Sequence, residues 1–338
     1  MKVLVTAPFS DEGLERLRNA GLDVTYESWL DTGKLRLGGD LLPVIQDGGY
    51  DVVIVEGDEI KEEVLEKTQL RIVASVRGSP NNIAVDAATA KGIPVLSAPG
   101  RNTTAVAEMT IGLILAQARN MIKAERLLGG EFMVDDFADF ASMYTSLVGF
   151  ELQGRTAGII GLGQIGAEVA NRLRAFGMHL LVYDPYVSSD RIEDVGGRAV
   201  DLATLLGESD VVTIHCAPTE ETARMLGAEE IRMMKKSAIL VNTARASITD
   251  EQSLLEALKS GQIAGAGLDV FSMEPVDCDN IFLELDNVTV MPHMGGNTVD
   301  TIKRQSEMIS SDILAILDGR RPVNILNPEV LDKGASTW

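Results

Sequence analysis

Three apolar runs in the second half of the chain end in side chains that can hold charge or move a proton. SAILVNTAR ends on Arg245, IAGAGLDVFSMEP carries Glu274, and NVTVMPH ends on His293. Imidazole exchanges a proton near neutrality, a carboxylate fixes its orientation, and a guanidinium fork grips an anionic group. Taken singly each has a plain reading: a packed imidazole, a solvated loop glutamate, an exposed arginine. His293 stands in M-P-H-M-G-G, between a proline and two glycines, in a chain with three histidines. Together, at strand ends beside a cofactor, the three residues would form a base, an orienting carboxylate and an anion clamp.

The cofactor signal is TAGIIGLGQIGAEVANRLRAFGMHLLVYDPY. Gly161, Gly163 and Gly166 form G-x-G-x-x-G after a buried strand and at the opening of a helix. The first glycine permits a tight turn, the second admits a pyrophosphate, and the third lets helix pack on strand. Helix N-terminal amides near Gln164 and Ile165 would face the phosphates. Asp184, at the end of the next strand, would accept from the adenosine ribose hydroxyls and repel a 2′-phosphate, which favours NAD over NADP. Capping of the DPY turn is its plainer reading.

Such groups need strand ends to stand on. From residue 1 to about 100, KVLVT, LDVTYE, YDVVIVEG, LRIVASV and IPVLSAP alternate with helical patterns, the first from about Glu12 with Ser10 or Asp11 as cap. Strands alternating with helices imply βαβ units and a parallel sheet. Pro99-Gly100 precedes a helical pattern from Ala105 to about Lys123, a plausible domain crossing. Residues 128–150 (LGGEFMVDDFADFASMYTSLVGF) show no clean period and suit a packed irregular segment or an oligomer contact. A second alternation runs from Thr156 to His293, then a helix over about 298–318 and RRPVNILNP. The expected fold is α/β, with two doubly wound parallel-sheet, Rossmann-like domains and a cleft between them. Residues 1–101 and 296–338 would form a discontinuous substrate-binding domain, and 102–295 the NAD-binding domain.

The totals restrict the partners. The 338 residues suit two cores, and 45% hydrophobic with 24% charged residues is a folding composition. A formal charge of -20 without a basic block argues against nucleic acid and anionic membranes. Cys216 and Cys278 are too few for a disulfide framework and lack metal-ligand spacing, so no metal is expected. With no leader-like start and no membrane-length apolar run, the reading is cytoplasmic.

The ordered set KGIPVLSAPG then AVAE, GIIGLGQIG, LVYDPY, HCAPTEET, VNTAR, GLDVF with Glu274-Pro275, and PHMGG resembles the D-isomer-specific 2-hydroxyacid dehydrogenases, most of all their phosphoglycerate-dehydrogenase-like branch. The resemblance covers nearly the whole chain and implies a short form without a regulatory domain. It implies Arg245, Glu274 and His293 as catalytic residues and Asp269 as a contact of the nicotinamide carboxamide. Gln164, Ile165, Asp184, the turn Thr243, Ala244 and Arg245, and His293 through Gly295 and Gly296 would line the cofactor. His215 matches a position beside it, read as structural, and His179 as a strand residue. A homodimer through about 105–150 is also implied.

The expected activity is NAD-dependent interconversion of a D-2-hydroxy acid and its 2-oxo acid. The substrate carboxylate would lie on the amides of Gly78 and Ser79 and on Arg245, and Arg77 could hold a distal phosphate, carboxylate or hydroxyl. Four positions depart from the phosphoglycerate pattern: Ser75 stands where an arginine is usual, Ala84 replaces an aspartate, and Ala246-Ser247 follow Arg245 where glycine is common. A glyoxylate or hydroxypyruvate reductase is an alternative, and an NAD-sensing corepressor-like interaction protein is one of another class. Glutamate at 274 argues against formate oxidation, whose enzymes resemble this chain with glutamine there.

Overall fold

The computed structural model describes residues 1–130 and 133–333. The chain forms two compact units, one of Met1–Arg101 with Asn297–Trp338 and one of Asn102–Gly296, so Gly296 falls with the second. Residues 334–338 of the tail, and 131 and 132 of the 105–150 segment, lie outside the described residues.

In the first unit β1 (Lys2–Val5), β2 (Asp23–Tyr26), β3 (Val52–Val55), β4 (Ile72–Ser75) and β5 (Val95–Leu96) form a sheet of order β2-β1-β3-β4-β5. Its pairings are parallel. Successive side chains on a strand face opposite sides, so short all-apolar strands imply cover on both. Val3, Val5, Val52 and Ile54 join one apolar cluster, while Leu4, Val53 and Val55 join another. The C-terminal helix Val299–Leu317 completes the first cluster with Ile309, Ile313 and Ile316. Polar ties hold it there: Gln305 Nε2 donates to Pro8 O at 2.6 Å, and Ser10 N to Ser306 Oγ at 2.8 Å. Beyond it, Leu326 N donates to Val95 O at 2.8 Å, so residues 325 and 326 lie along β5.

The second unit carries β6 (Thr156–Ile160), β7 (His179–Tyr183), β8 (Gly197–Ala199), β9 (Val211–Ile214), β10 (Ile239–Asn242), β11 (Gly265–Leu268) and β12 (Val288–Val290), ordered β12-β11-β10-β9-β6-β7-β8. All these pairings are parallel. The chain leaves β6 toward β7 and β8, then returns to add β9 on the other side. Ligands of open α/β sheets bind at such a switch point, outside the carboxyl ends of the strands. The two-domain α/β expectation therefore matches the fold found.

The helix expected over 105–123 is two helices, Thr103–Ala118 and Met121–Gly129. Asn120, at φ 52, turns the chain between them, and its Nδ2 donates to Val148 O at 3.1 Å while Phe150 N takes Ala118 O at 2.8 Å. The returning segment claims the carbonyl that a continuous helix would use. Within 128–150 the helix Phe137–Ser146 is capped by Asp136, whose Oδ1 accepts from Ala138 N and Asp139 N at 2.7 and 3.0 Å. Among the described residues no helix is long and apolar enough to cross a membrane.

Candidate active site

The glycine turn after β6 is built by close approach. Gly161 sits at φ +90, and a Cβ on it would stand 2.5 Å from Cys216 N. A Cβ on Gly166 would stand 2.2 Å from Gly161 O, so helix Gln164–Ala175 reaches the strand because that residue lacks a side chain. Gly163 differs: a Cβ there meets nothing within 4 Å. Steric need at 161 and 166 is internal, whereas the room at 163 faces outward, as an approaching pyrophosphate requires. No side chain caps the helix at Gly163, which leaves N-terminal amides directed outward near exposed Gln164 and half-buried Ile165. These residues fit a dinucleotide.

Asp184 follows β7. Its Oδ2 accepts from Leu162 N at 2.7 Å and its Oδ1 from Tyr186 N at 2.9 Å. It therefore ties the glycine turn to the β7 end while each oxygen keeps a second lone pair for a ribose hydroxyl. His215, after β9, donates its backbone N–H to Ile160 O at 2.7 Å, and its Nε2 lies 2.9 Å from Thr213 Oγ1. Burial lowers its pKa to about 3, which favours the neutral ring. Burial likewise pushes the neighbouring Cys216 thiol up to about 11, which makes it a poor nucleophile.

Asn242 ends β10 and shapes the next turn. Its Oδ1 accepts from Ala244 N at 3.0 Å and its Nδ2 donates to Arg245 O at 2.9 Å. Thr243 Oγ1 shares a 2.8 Å hydrogen bond with Thr110 Oγ1 of the long helix, both buried. The exposed Arg245 side chain donates from Nη1 to Ala244 O at 2.6 Å. Among the described residues no hydrogen bond or ion pair joins it to Glu274 or His293.

Those two meet directly. His293 Nδ1 lies 2.7 Å from Glu274 Oε2, and Glu274 Oε1 accepts from Phe271 N at 3.0 Å. The His293 side chain is 45% exposed. His293 itself is at φ 56. Buried Asp269 holds the following loop, Oδ1 accepting from Met294 N at 2.7 Å and Oδ2 from Gly295 N at 2.8 Å. Burial pushes the Asp269 carboxyl up, against the pull of those two amides. A Cβ on Gly295 would come within 2.8 Å of Asp269 Oδ2, and one on Gly296 within 3.0 Å of Asn102 Nδ2, so the two glycines let the chain pass.

In the first unit Arg77, Gly78 and Ser79 follow β4. Arg77 N donates to Ser75 Oγ at 3.1 Å, and Arg77 Nη1 to Asn81 Oδ1 at 3.3 Å. A Cβ on Gly78 would sit 3.1 Å from Pro99 Cα, so a larger residue there would require the backbone to shift.

Sequence reasoning passed over Asn242, Thr110 and the support of the Glu274 loop, where Glu251 Oε1 accepts from Ser272 N at 2.8 Å. Asn242 lay unnoticed inside VNTAR; the acid at the start of the helix Glu251–Ser260 gave no sign of its distant partner.

Residues 111–295 match the model of the D-isomer specific 2-hydroxyacid dehydrogenase, NAD binding domain. The chain is 37% identical over 338 residues to a D-3-phosphoglycerate dehydrogenase of Archaeoglobus fulgidus, covering 98% of this chain and 61% of that one. It is 41% identical over 276 residues to a glyoxylate reductase of Korarchaeum cryptofilum, 81% of each. Among solved structures, the TT0316 protein of Thermus thermophilus superposes with a TM-score of 0.85 at 33% identity, covering 96% of this chain and 100% of that one. The chain thus spans about six tenths of the phosphoglycerate dehydrogenase's length. It belongs to the D-isomer specific 2-hydroxyacid dehydrogenase family, and its second unit contains that family's NAD-binding domain.

Proposed function

We propose that the protein interconverts a D-2-hydroxy acid and its 2-oxo acid, with His293 and Glu274 as proton relay and Arg245 as anion clamp. The observation that carries this reading is the 2.7 Å contact between His293 Nδ1 and Glu274 Oε2 in a loop held by Asp269. Bound NAD supplies the hydride donor or acceptor. Glu274 accepts a hydrogen bond from Nδ1–H, which leaves Nε2 to give a proton to the carbonyl oxygen in reduction and to take it from the hydroxyl in oxidation. Arg245 offers its fork to the anionic end of the acid. In the first unit Arg77 and the amides of Gly78 and Ser79 serve the acid's carboxylate and any second polar group.

The second reading narrows the substrate to glyoxylate or hydroxypyruvate. Ser75, where the phosphoglycerate pattern has arginine, and the 41% identity to a glyoxylate reductase favour it. We further infer a homodimer through 105–150, where Leu128, Phe137 and Tyr144 are 73, 79 and 69% exposed, and a cytoplasmic location suited to the unpaired Cys216 and Cys278.

The test is turnover of purified protein with NADH and a panel of glyoxylate, hydroxypyruvate, pyruvate and a phosphorylated 2-oxo acid. Oxidation of NADH with one or more acids is the expected result. Tight NADH binding without turnover of any would overturn the reading in favour of a cofactor-sensing interaction protein.

A further inference from the structure

Tyr186 and Glu221 form a hydrogen bond, hydroxyl to carboxylate, between two loops that the sequence places 35 residues apart. Tyr186 follows β7 and Glu221 follows β9, and in the sheet these strands flank β6 on its two sides. The bond therefore links the loops on either side of the glycine turn at the carboxyl end of β6. Both loops also touch that turn: Asp184 accepts from Leu162 N, and the Cys216 backbone is what a Cβ on Gly161 would strike. On the Glu221 side the loop is pinned by Thr222, whose Oγ1 donates to Ala217 O at 2.7 Å and whose hydroxyl accepts from Thr219 N at 2.8 Å. On the Tyr186 side Asp184 Oδ1 fixes the backbone at 2.9 Å. Two anchored loops thus hold a second carboxylate on the hydroxyl of Tyr186, whose own backbone N–H is bound by Asp184. Both Tyr186 and Glu221 are exposed, so the pair has no core to serve.

We propose that Glu221, held in place by the Tyr186 hydroxyl, is a second determinant of cofactor choice, adding its charge to that of Asp184 against the 2′-phosphate of NADP. The proposal rests on the cofactor site described above. A phosphate near two fixed carboxylates suffers repulsion from both, whereas a 2′-hydroxyl suffers none and can donate to either. Asp184 has two backbone N–H donors on it, which partly offset its charge; Glu221 has one neutral hydroxyl and keeps more of its field. Tyr186 adds position: without it a long exposed glutamate would spread over many rotamers and its charge would be diluted by solvent.

The measurement is the dissociation constant of NADH and of NADPH, read from nicotinamide fluorescence, for the full chain and for Glu221→Gln and Tyr186→Phe, at low and at high salt. Glu221→Gln should tighten NADPH by about three- to fivefold, the range of one exposed charge, with NADH changed less. Tyr186→Phe should give a smaller gain of the same sign. The gain should shrink as salt screens the charge, which a merely structural role would not produce. An unchanged NADPH-to-NADH ratio in Glu221→Gln, or a gain indifferent to salt, with NADH still bound, would overturn this proposal alone. A wild-type chain that binds neither nucleotide would overturn the cofactor site and the proposal together.

Discussion

A glutamate and a histidine 2.7 Å apart make a proton relay only if the carboxylate orients the ring that carries the proton, and this can be measured. Glu274→Gln keeps the shape but puts an amide, which can donate as well as accept, where the carboxylate faces Nδ1. The kcat/KM should therefore fall about tenfold or more in both directions, with NADH binding little changed. An undiminished kcat/KM in Glu274→Gln would separate Glu274 from the relay. Arg77 carries a second prediction at this scale. Its guanidinium is oriented by Asn81 at 3.3 Å, so Arg77→Ala should raise KM about tenfold for an acid with a second anionic or hydroxyl group, and less for glyoxylate. Equal effects on both substrates would return Arg77 to a structural role.

At the scale of elements, the glycine turn separates folding from binding. Gly163 has φ -69, within reach of any residue, and open space around its missing side chain, whereas Gly166 packs on Gly161 O. Gly163→Ala should keep unfolding free energy within about 1 kcal/mol and weaken NADH binding about tenfold or more. Gly166→Ala should cost about 1–3 kcal/mol through overpacking. Denaturant unfolding and NADH titration on both variants check this, and equal stability losses would contradict it. The same loop explains what the sequence could tell. The three glycines were legible from their spacing between an apolar strand and a helix, with steric need at Gly161 and Gly166, and the apolar runs marked the strands because both faces are covered. The helix break at Asn120 was not legible, since it depends on Phe150 taking a carbonyl 32 residues upstream. Nor was β8: Gly197–Ala199 is short and half exposed, and it is a strand because it pairs with β7. The bond partners of Glu274 and His293 could be guessed from residue type, but the double use of Asp184 and Asp269 on backbone amides could not, because loop amides leave no mark in side-chain spacing.

For the whole molecule, the described residues between 121 and 148 leave large apolar side chains outside, including Phe137, Phe140 and Tyr144 with successive ring centroids 5.8 and 6.0 Å apart. A patch of that kind suits the proposed homodimer. Light scattering should give the mass of two chains, and Phe137→Asp with Tyr144→Asp should give that of one; a wild-type monomer would remove the dimer from the account. The proposed reaction is tested most directly by the configuration of its product. Purified protein, NADH and a prochiral 2-oxo acid such as pyruvate or hydroxypyruvate, followed by chiral separation, should yield the D-2-hydroxy acid, with His293→Gln reducing kcat/KM by about a hundredfold or more. Formation of the L isomer, or D product formed at an undiminished rate by His293→Gln, would contradict it.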